Sequence, residues 1–278
     1  MKKTEVKNII QPVLSSDGAG VKLKRSIGVE PNYYDPFLML DEFGSENKDD
    51  YVGGFPPHPH RGIETVTYML HGEFEHKDST GAKGRMKSGD VQWMKTGSGI
   101  IHSEMPAMSE GKLQGFQLWI NMPAKLKMTK PNYIYINSDE MKVHKDNDKT
   151  VKTIAGKFEN AEGPVKGHNV EPIYFDVDLK KNKDFSFEIP STHNSLIYLV
   201  NGEIKIGEKK HDRIVNSTLI LLDKGSNLNV KAVKDSKFLL ISGKPINEQI
   251  ARGGPFVMNT KAEILQAVND YHNGTFVK

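Results

Sequence analysis

The chain consists of short hydrophobic segments in which apolar and polar residues often alternate, with glycine-containing turns between them. Residues 64–70, 113–120 and 196–200 are examples, and they are rich in β-branched, aromatic or other large apolar residues. Strands that recur about every 8–12 residues with glycine turns are typical of sandwiches and barrels. The pattern therefore predicts an all-β fold.

The end of the chain has a helical pattern instead. Thr260 followed by Glu263 is a capping-box signature, and Asn273 with the glycine after it marks a helix end. Five apolar or aromatic residues between these signals are predicted to share one face of the helix: Ile264, Leu265, Ala267, Val268 and Tyr271. The sequence thus predicts a short C-terminal helix.

An internal repeat indicates a duplicated fold. Residues 68–74 (YMLHGEF) resemble residues 198–204 (YLVNGEI), which lie 130 positions later. Residues 95–98 resemble residues 223–226 at the nearly equal offset of 128. Because both matches fall on a strand followed by a turn, we predict two β-domains of similar construction.

Length and composition set the limits of this architecture. The 278 residues are enough for two domains with real cores, and the polar segment 137–167 is interpreted as the bridge between them. We therefore predict an N-terminal domain at 1–136 and a C-terminal domain, including the helix, at 137–278.

A formal net charge of +3 favours neither a nucleic-acid nor a membrane partner. Polar residues follow Met1-Lys2-Lys3 where a signal peptide needs an apolar run, so we expect a cytoplasmic protein.

Two pairs of metal-binding side chains stand out in the first half. His58 and His60 lie in the segment FPPHPHRG, and His102 and Glu104 lie in the segment GIIHSE. In an extended strand the side chains of residues i and i+2 point to the same side, so each pair can bind as a two-pronged ligand. The prolines on either side of His58 favour that extended conformation.

The ligand types restrict the metal. The chain has no cysteine, so three imidazole nitrogens and one carboxylate oxygen form the candidate set. Such a set suits Fe(II), Mn(II), Ni(II), Co(II), Cu(II) or Zn(II) and argues against Ca(II) and Mg(II). Four protein ligands on a six-coordinate ion leave positions for a substrate or O2, whereas a structural zinc is normally enclosed by protein groups.

The repeat predicts where this site is absent. It carries the four candidate positions onto Glu188, Pro190, Val230 and Ala232, and the last three of these cannot bind a metal through their side chains. We therefore expect a metal site in the N-terminal half only.

Five residues near the two pairs have simpler structural interpretations. His76 is expected to be a surface histidine on a strand, with a place at the mouth of the site as the alternative. Trp93 and Trp119 are expected in the core rather than as a platform for a substrate. Arg61 and Glu64 are expected to form a structural salt bridge.

The order of glycines, histidines and glutamate resembles the two motifs of the cupin superfamily. The matching residues are Gly54, His58, His60, Glu64 and Gly72 in the first motif, and Gly89, Gly99 and His102 in the second. The particular forms FPPHPHRG and GIIHSE, together with GPFVMNT at 254–260, resemble the pirins, a bicupin family. The resemblance covers essentially the whole chain. It implies two cupin barrels of the double-stranded β-helix, or jelly-roll, type.

The resemblance also implies a ligand set. Pirins bind iron through two histidines of the first motif and a histidine and a glutamate of the second, which by position are His58, His60, His102 and Glu104. The general cupin pattern does not have this glutamate two residues after the histidine, but pirins do, and Glu64 is then not the ligand. The second cupin of the family lacks a metal site. Several pirins are described as quercetin 2,3-dioxygenases, and some eukaryotic members as nuclear transcription cofactors.

These inferences lead to two alternative functions. The first is an Fe(II) dioxygenase that opens the ring of a flavonol such as quercetin with O2, with Glu104 as the catalytic base. The second is a non-enzymatic iron-binding regulator whose redox state modulates a protein partner. Other divalent metals remain alternatives to iron, and a purely structural metal is a third interpretation. Neither leading function needs direct contact with nucleic acid or a membrane, and we expect a monomer.

Overall fold

The structure is a computed structural model, and it describes residues 2–28, 34–208 and 214–277. The described residues are mostly strands, which confirms the predicted all-β class. They contain no helix long and apolar enough to span a lipid bilayer.

The elements of the described residues follow in chain order. The first strands are β1 (Val6–Ile10), β2 (Val13–Asp17), β3 (Val21–Ile27), β4 (Phe37–Ser45), β5 (Phe55–His60), β6 (Ile63–His71), β7 (Phe74–Asp78), β8 (Lys83–Met86), β9 (Val91–Lys95), β10 (Ile100–Pro106), β11 (Leu113–Asn121) and β12 (Asn132–Ile136). They are followed by β13 (Lys142–Lys145), β14 (Lys149–Ala155), β15 (Lys157–Phe158), β16 (Ala161–Glu162), β17 (Ile173–Leu179), β18 (Asp184–Glu188), β19 (Asn194–Asn201), β20 (Glu203–Ile206), β21 (Ile214–Val215), β22 (Thr218–Leu222), β23 (Asn227–Ala232), β24 (Ser236–Gly243), β25 (Ala251–Gly253) and β26 (Phe256–Met258). The helix α1 covers Lys261–His272, and single 3-10 turns lie at Lys48–Asp50, Ala124–Leu126 and Ser138–Glu140.

The chain divides into two compact units, one formed by 13–138 with 246–278 and the other by 1–12 with 139–245. The predicted domains, 1–136 and 137–278, have their internal boundary close to this division but differ from the units at both ends of the chain. The first twelve residues pair with the later half because β1 hydrogen-bonds along β22. The last segment joins the earlier half through contacts such as the bridge between Arg61 and Phe256.

Each unit contains a seven-stranded and a four-stranded antiparallel sheet. In the unit of 13–138 the strand orders are β12-β9-β6-β11-β4-β3-β2 and β5-β10-β7-β8. In the unit of 139–245 they are β1-β22-β19-β24-β17-β14-β13 and β18-β23-β20-β21. The two orders correspond strand for strand, with β6 matching β19 and β10 matching β23. This correspondence confirms the duplication that residues 68–74 and 198–204 predicted.

The interior of the unit of 139–245 is apolar. Val230 and Ala232, the positions onto which the repeat carries His102 and Glu104, are fully buried in its hydrophobic core. Phe185, Ile204 and Phe238 belong to the same cluster. Among the residues of this unit that the structure describes, none belongs to a group of histidines and carboxylates close enough to share a metal.

The C-terminal helix begins as its capping box predicts. The Thr260 hydroxyl accepts a hydrogen bond from the Glu263 backbone N–H, and the Glu263 carboxylate accepts one from the Thr260 backbone. Ala267 is buried, with Ile264 and Val268 packed around it. Leu265, however, is 61% exposed. Its predicted place on the same face as the others is wrong because, at about 100° per residue, it lies well away from the direction that Ile264 and Val268 share.

Candidate metal centre

Three neighbouring strands bring the candidate ligands to one face of the four-stranded sheet. Strand β10 lies between β5 and β7. The register places His102 opposite His58 on one side, and Glu104 opposite His76 on the other. Because residues two apart share a face, His60 joins the same group.

The three histidines of the sequence motifs meet. Their ring centroids are 4.8 Å apart for His58 and His60, 4.3 Å for His58 and His102, and 5.0 Å for His60 and His102. Each offers one nitrogen within 4.8 Å of the others. A second group with the same spacing consists of His76, His102 and Glu104. The four predicted ligands and His76 therefore form two triads that share His102.

The burial of these groups favours the metal-binding form of histidine. Burial lowers the pKa of His60 and His102 well below the ordinary value, and the neighbouring His58 adds to the effect. Both rings are therefore neutral at pH 7, which is the state in which imidazole binds a metal. Both ring nitrogens of His102 are buried without a hydrogen-bond partner among the described residues. A bound cation would satisfy such a nitrogen, so the residues present fit a metal.

Backbone carbonyls orient two of the rings. His58 Nδ1–H donates to the Pro56 carbonyl at 2.8 Å, and His60 Nδ1–H faces the Pro255 carbonyl at 3.3 Å. With Nδ1 occupied in this way, Nε2 carries the lone pair, and such partners are the usual means of fixing a metal-binding tautomer. Pro255 belongs to the C-terminal segment, which therefore helps to shape the site.

Glu104 is held by two neutral side chains. Its Oε1 accepts hydrogen bonds from Thr67 Oγ1 at 2.8 Å and from Gln92 Nε2 at 3.2 Å. Thr67 is on β6 and Gln92 is on β9, so the seven-stranded sheet supports a residue of the four-stranded one. Since Oε1 is occupied, Oε2 is the oxygen that remains for a metal or a proton.

His76 is part of the site, and its assignment to the surface is wrong. It is 1% exposed, its Nε2 lies 2.9 Å from Asp78 Oδ2, and its ring stacks on Tyr133 at 4.5 Å. Its Nδ1 is buried without a partner among the described residues. The i, i+2 spacing of His76 and Asp78 is the criterion that found the other pairs. Burial also raises the pKa of the Tyr133 phenol above its ordinary range.

The expectations for the remaining neighbours are met only in part. Trp93 is in the core as predicted, and its Nε1 donates to Glu64 Oε2 at 2.6 Å. Arg61 pairs with Asp270 of the C-terminal helix at 2.7 Å, so the predicted salt bridge between Arg61 and Glu64 is wrong. Trp119 is in a buried hydrophobic cluster, as predicted, and it also lines a cavity, with its ring 5.0 Å from that of His60.

The site opens into a cavity of about 610 Å³. Its lining combines the candidate ligands His58, His60 and Glu104 with apolar residues such as Phe55 and Trp119. Charged residues line it as well: Asp17, Arg25, Asp41 and Arg252. A second cavity of about 640 Å³ lies over β2, β3 and β4 and contains none of the histidines. The smaller cavity is therefore the one where metal chemistry and a ligand can meet.

Comparisons with known proteins point to one family. Residues 20–120 match the pirin family model, and residues 174–277 match the model of the pirin C-terminal cupin domain. A pirin-like protein of Caulobacter vibrioides is 43% identical over 274 residues, which are 98% of this chain and 98% of that protein. A Pseudomonas aeruginosa protein that carries the name "putative quercetin 2,3-dioxygenase" is 42% identical over 94% of this chain and 93% of its own length.

A solved structure has the same fold along nearly the whole chain. The crystal structure of a quercetin 2,3-dioxygenase from Acinetobacter baumannii superposes with a TM-score of 0.90 at 32% identity. The match covers 99% of this chain and 98% of that one. The two units are thus cupin domains, as the sequence motifs predicted. On this fold, these family matches and these relatives, the chain belongs to the pirin family.

Proposed function

We propose that the protein is a metal-dependent dioxygenase that opens the ring of a flavonol such as quercetin with O2 at an Fe(II) site. The observation that carries this proposal is the position of the histidines, which converge at the wall of a cavity large enough for a small organic molecule. Cavities of about 300–1,000 Å³ are typical of small-molecule sites. The likeness to proteins named as quercetin 2,3-dioxygenases supports the choice of substrate.

Four residues would hold the metal: His58, His60, His102 and Glu104. Their three nitrogens and one oxygen suit iron, and also Mn(II), Ni(II), Co(II), Cu(II) or Zn(II). When bound there, iron would supply a Lewis acid that lowers the pKa of a substrate hydroxyl, and redox chemistry toward O2. Metal analysis of protein purified without added metal identifies the ion, and we expect iron.

Glu104 is the proposed catalytic base. Its carboxylate would bind the metal through one oxygen and accept the proton of the flavonol 3-hydroxyl at the other, while hydrogen bonds from Thr67 and Gln92 to Oε1 fix its orientation. Trp119 and Phe55 would pack against the aromatic rings and exclude water from that part of the cavity.

The direct test is turnover by the iron-loaded protein. We expect quercetin absorbance to fall only when O2 is present, with O2 consumed at the same time. Glu104→Gln keeps an oxygen for the metal but cannot accept the proton, so a metal-loaded variant should lose turnover. Glu75→Gln, an exposed carboxylate on β7, is the matched control and should keep it.

Two outcomes would contradict parts of the proposal. Full activity in a metal-loaded Glu104→Gln protein would refute the base assignment. No turnover across a panel of flavonols, with iron present, would favour the alternative of an iron-binding regulator that acts on a protein partner. Under either function we expect a cytoplasmic monomer with no direct contact with nucleic acid.

A further inference from the structure

Arg252 is a charged residue of the cavity that the proposed chemistry does not use. It lies on β25, in the C-terminal segment that also supplies the carbonyl of Pro255. Its guanidinium carbon is 5.0 Å from the centre of the Trp119 ring, and that ring is 5.0 Å from the ring of His60. The indole therefore lies between a candidate metal ligand and a cation, along one wall of the cavity.

The other arginine of the cavity is fully engaged. Arg25 binds Asp41 through two parallel hydrogen bonds, Nε to Oδ1 at 3.0 Å and Nη2 to Oδ2 at 2.7 Å. It also reaches Asp17 at 3.1 Å. Two-pronged contacts of this kind are the strong form of the arginine–carboxylate pair. Arg25 thus has little capacity left for a ligand, and it neutralises the buried Asp41.

Arg252 has no comparable partner. Its only hydrogen bonds to described residues run from Nη1 to the carbonyls of Gly28 and Leu38, both at 3.3 Å and both near the upper limit for such bonds. No carboxylate of the described residues forms an ion pair with it. Nε and Nη2 are therefore available for a ligand, in a planar fork that fits two oxygens.

The surroundings of Arg252 destabilise its positively charged form. Burial lowers the pKa of Arg252 below its ordinary value, the positive charge of Arg25 lowers it further, and the negative charge of Asp41 offsets only part of this effect. A half-buried cation without an ion-pair partner carries a desolvation cost that an incoming anion would offset. For Arg25 the desolvation cost is already offset, because Asp41 is in place as its partner.

We propose that Arg252 is the anion-recognition residue of this cavity. The substrates that fit it best are planar aromatic molecules with a metal-binding oxygen at one end and a carboxylate at the other. The aromatic part would lie along Trp119, and the carboxylate would pair with Nε and Nη2 of Arg252. This inference rests on the proposed function, since it takes the same cavity as the substrate site and names the class of molecule that the cavity selects.

The test compares two ligands that differ in one group, 3-hydroxyflavone and its 4′-carboxylate. Dissociation constants are measured by calorimetry on Ni(II)-loaded protein without O2, so the readout does not depend on turnover. We expect the carboxylate to bind about tenfold more tightly or better, which is the effect of one charge-assisted hydrogen bond. Equal affinities for the wild-type protein would overturn the inference without any variant.

Three variants assign the preference to its residue. Arg252→Met removes the charge but keeps an apolar stem over Trp119, and it should abolish the preference. Arg252→Lys keeps the charge without the planar fork, and it should retain a reduced preference. Lys22→Met removes an exposed charge three residues from Arg25 and outside the cavity lining, and it should change nothing. A preference that survives in Arg252→Met, or one that Lys22→Met also abolishes, would refute the assignment.

This design separates the inference from the proposed function. A carboxylate preference in a protein that never turns over a flavonol supports the inference and contradicts the dioxygenase. Turnover of quercetin with no carboxylate preference supports the dioxygenase and contradicts the inference.

Discussion

Lys127 is buried and contacts the C-terminal segment 246–278. Its replacement should strongly destabilise the unit of 13–138 and 246–278. Its ammonium donates to Gly62 O at 2.7 Å, to Asn121 Oδ1 at 2.7 Å and to Val257 O at 2.8 Å. These three contacts connect a turn of the barrel, the end of β11 and strand β26. Gly62 has a φ of +80°, and a side chain there would meet Val257 O at 2.1 Å, so the backbones approach closely at this point.

The expected loss follows from these contacts. Burial lowers the pKa of Lys127 to about 7, which corresponds to a cost of about 5 kcal/mol for the charged form. Three hydrogen bonds from a charged donor contribute about 1.5–3 kcal/mol each and offset it. Lys127→Met removes both terms but leaves three buried acceptors unsatisfied, at about 1–3 kcal/mol each. We expect the free energy of unfolding to fall by at least about 3 kcal/mol, the lower end of that range for three acceptors, which is a large part of a typical domain's stability.

Urea unfolding of the metal-free protein measures this loss. Both tryptophans of the chain, Trp93 and Trp119, lie in the unit of 13–138 and 246–278, so fluorescence reports on that unit alone. Lys130→Met, an exposed lysine three residues away, is the control and should change stability by less than about 0.5 kcal/mol. If Lys127→Met unfolds at the same urea concentration as Lys130→Met, the reasoning about its buried acceptors is wrong.

Three further predictions concern other buried polar groups. Thr67→Val removes a donor to Glu104 and should weaken metal binding about 10- to 100-fold, measured by competition with a chelator; unchanged affinity would contradict the supporting role. Asp270→Asn leaves the buried Arg61 without its carboxylate, so unfolding should become about 3 kcal/mol easier and hydrogen exchange in α1 should accelerate. Burial lowers the pKa of His193, so the native state binds fewer protons than the unfolded one and stability should fall as pH drops below about 6.5. His193→Asn should reduce that dependence in acid titrations of the metal-free protein and leave the part that His60 and His102 contribute.

The strands and the candidate ligands were predictable because both depend on local spacing. Alternation and turn glycines located strands such as β6 and β19, and the i, i+2 rule placed His58 and His60 on one face. The offset between the repeats also predicted that the Val230 position would not supply a metal ligand. These features need no knowledge of which strands are neighbours in space.

The rest depended on tertiary contacts that spacing does not encode. His76 resembled a surface histidine until β7 was placed beside β10. Trp119 lies in an apolar strand, and only the second sheet shows that its ring faces a cavity. The position of 246–278 against the first domain could not be read from chain order, so neither the contact of Pro255 with His60 nor the role of Arg252 was foreseen.

The placement of 246–278 has a consequence for synthesis of the protein. The ribosome produces residues 1–138 first, then the entire 139–245 portion, and only afterwards the segment that carries Pro255 and Arg252. A nascent chain that has displayed all four candidate ligands still lacks the carbonyl that orients His60 and the buried contacts of Val257. Metal loading is therefore expected to follow release of the segment 246–278 from the ribosome. Prematurely terminated chains that lack this segment should have a low metal content.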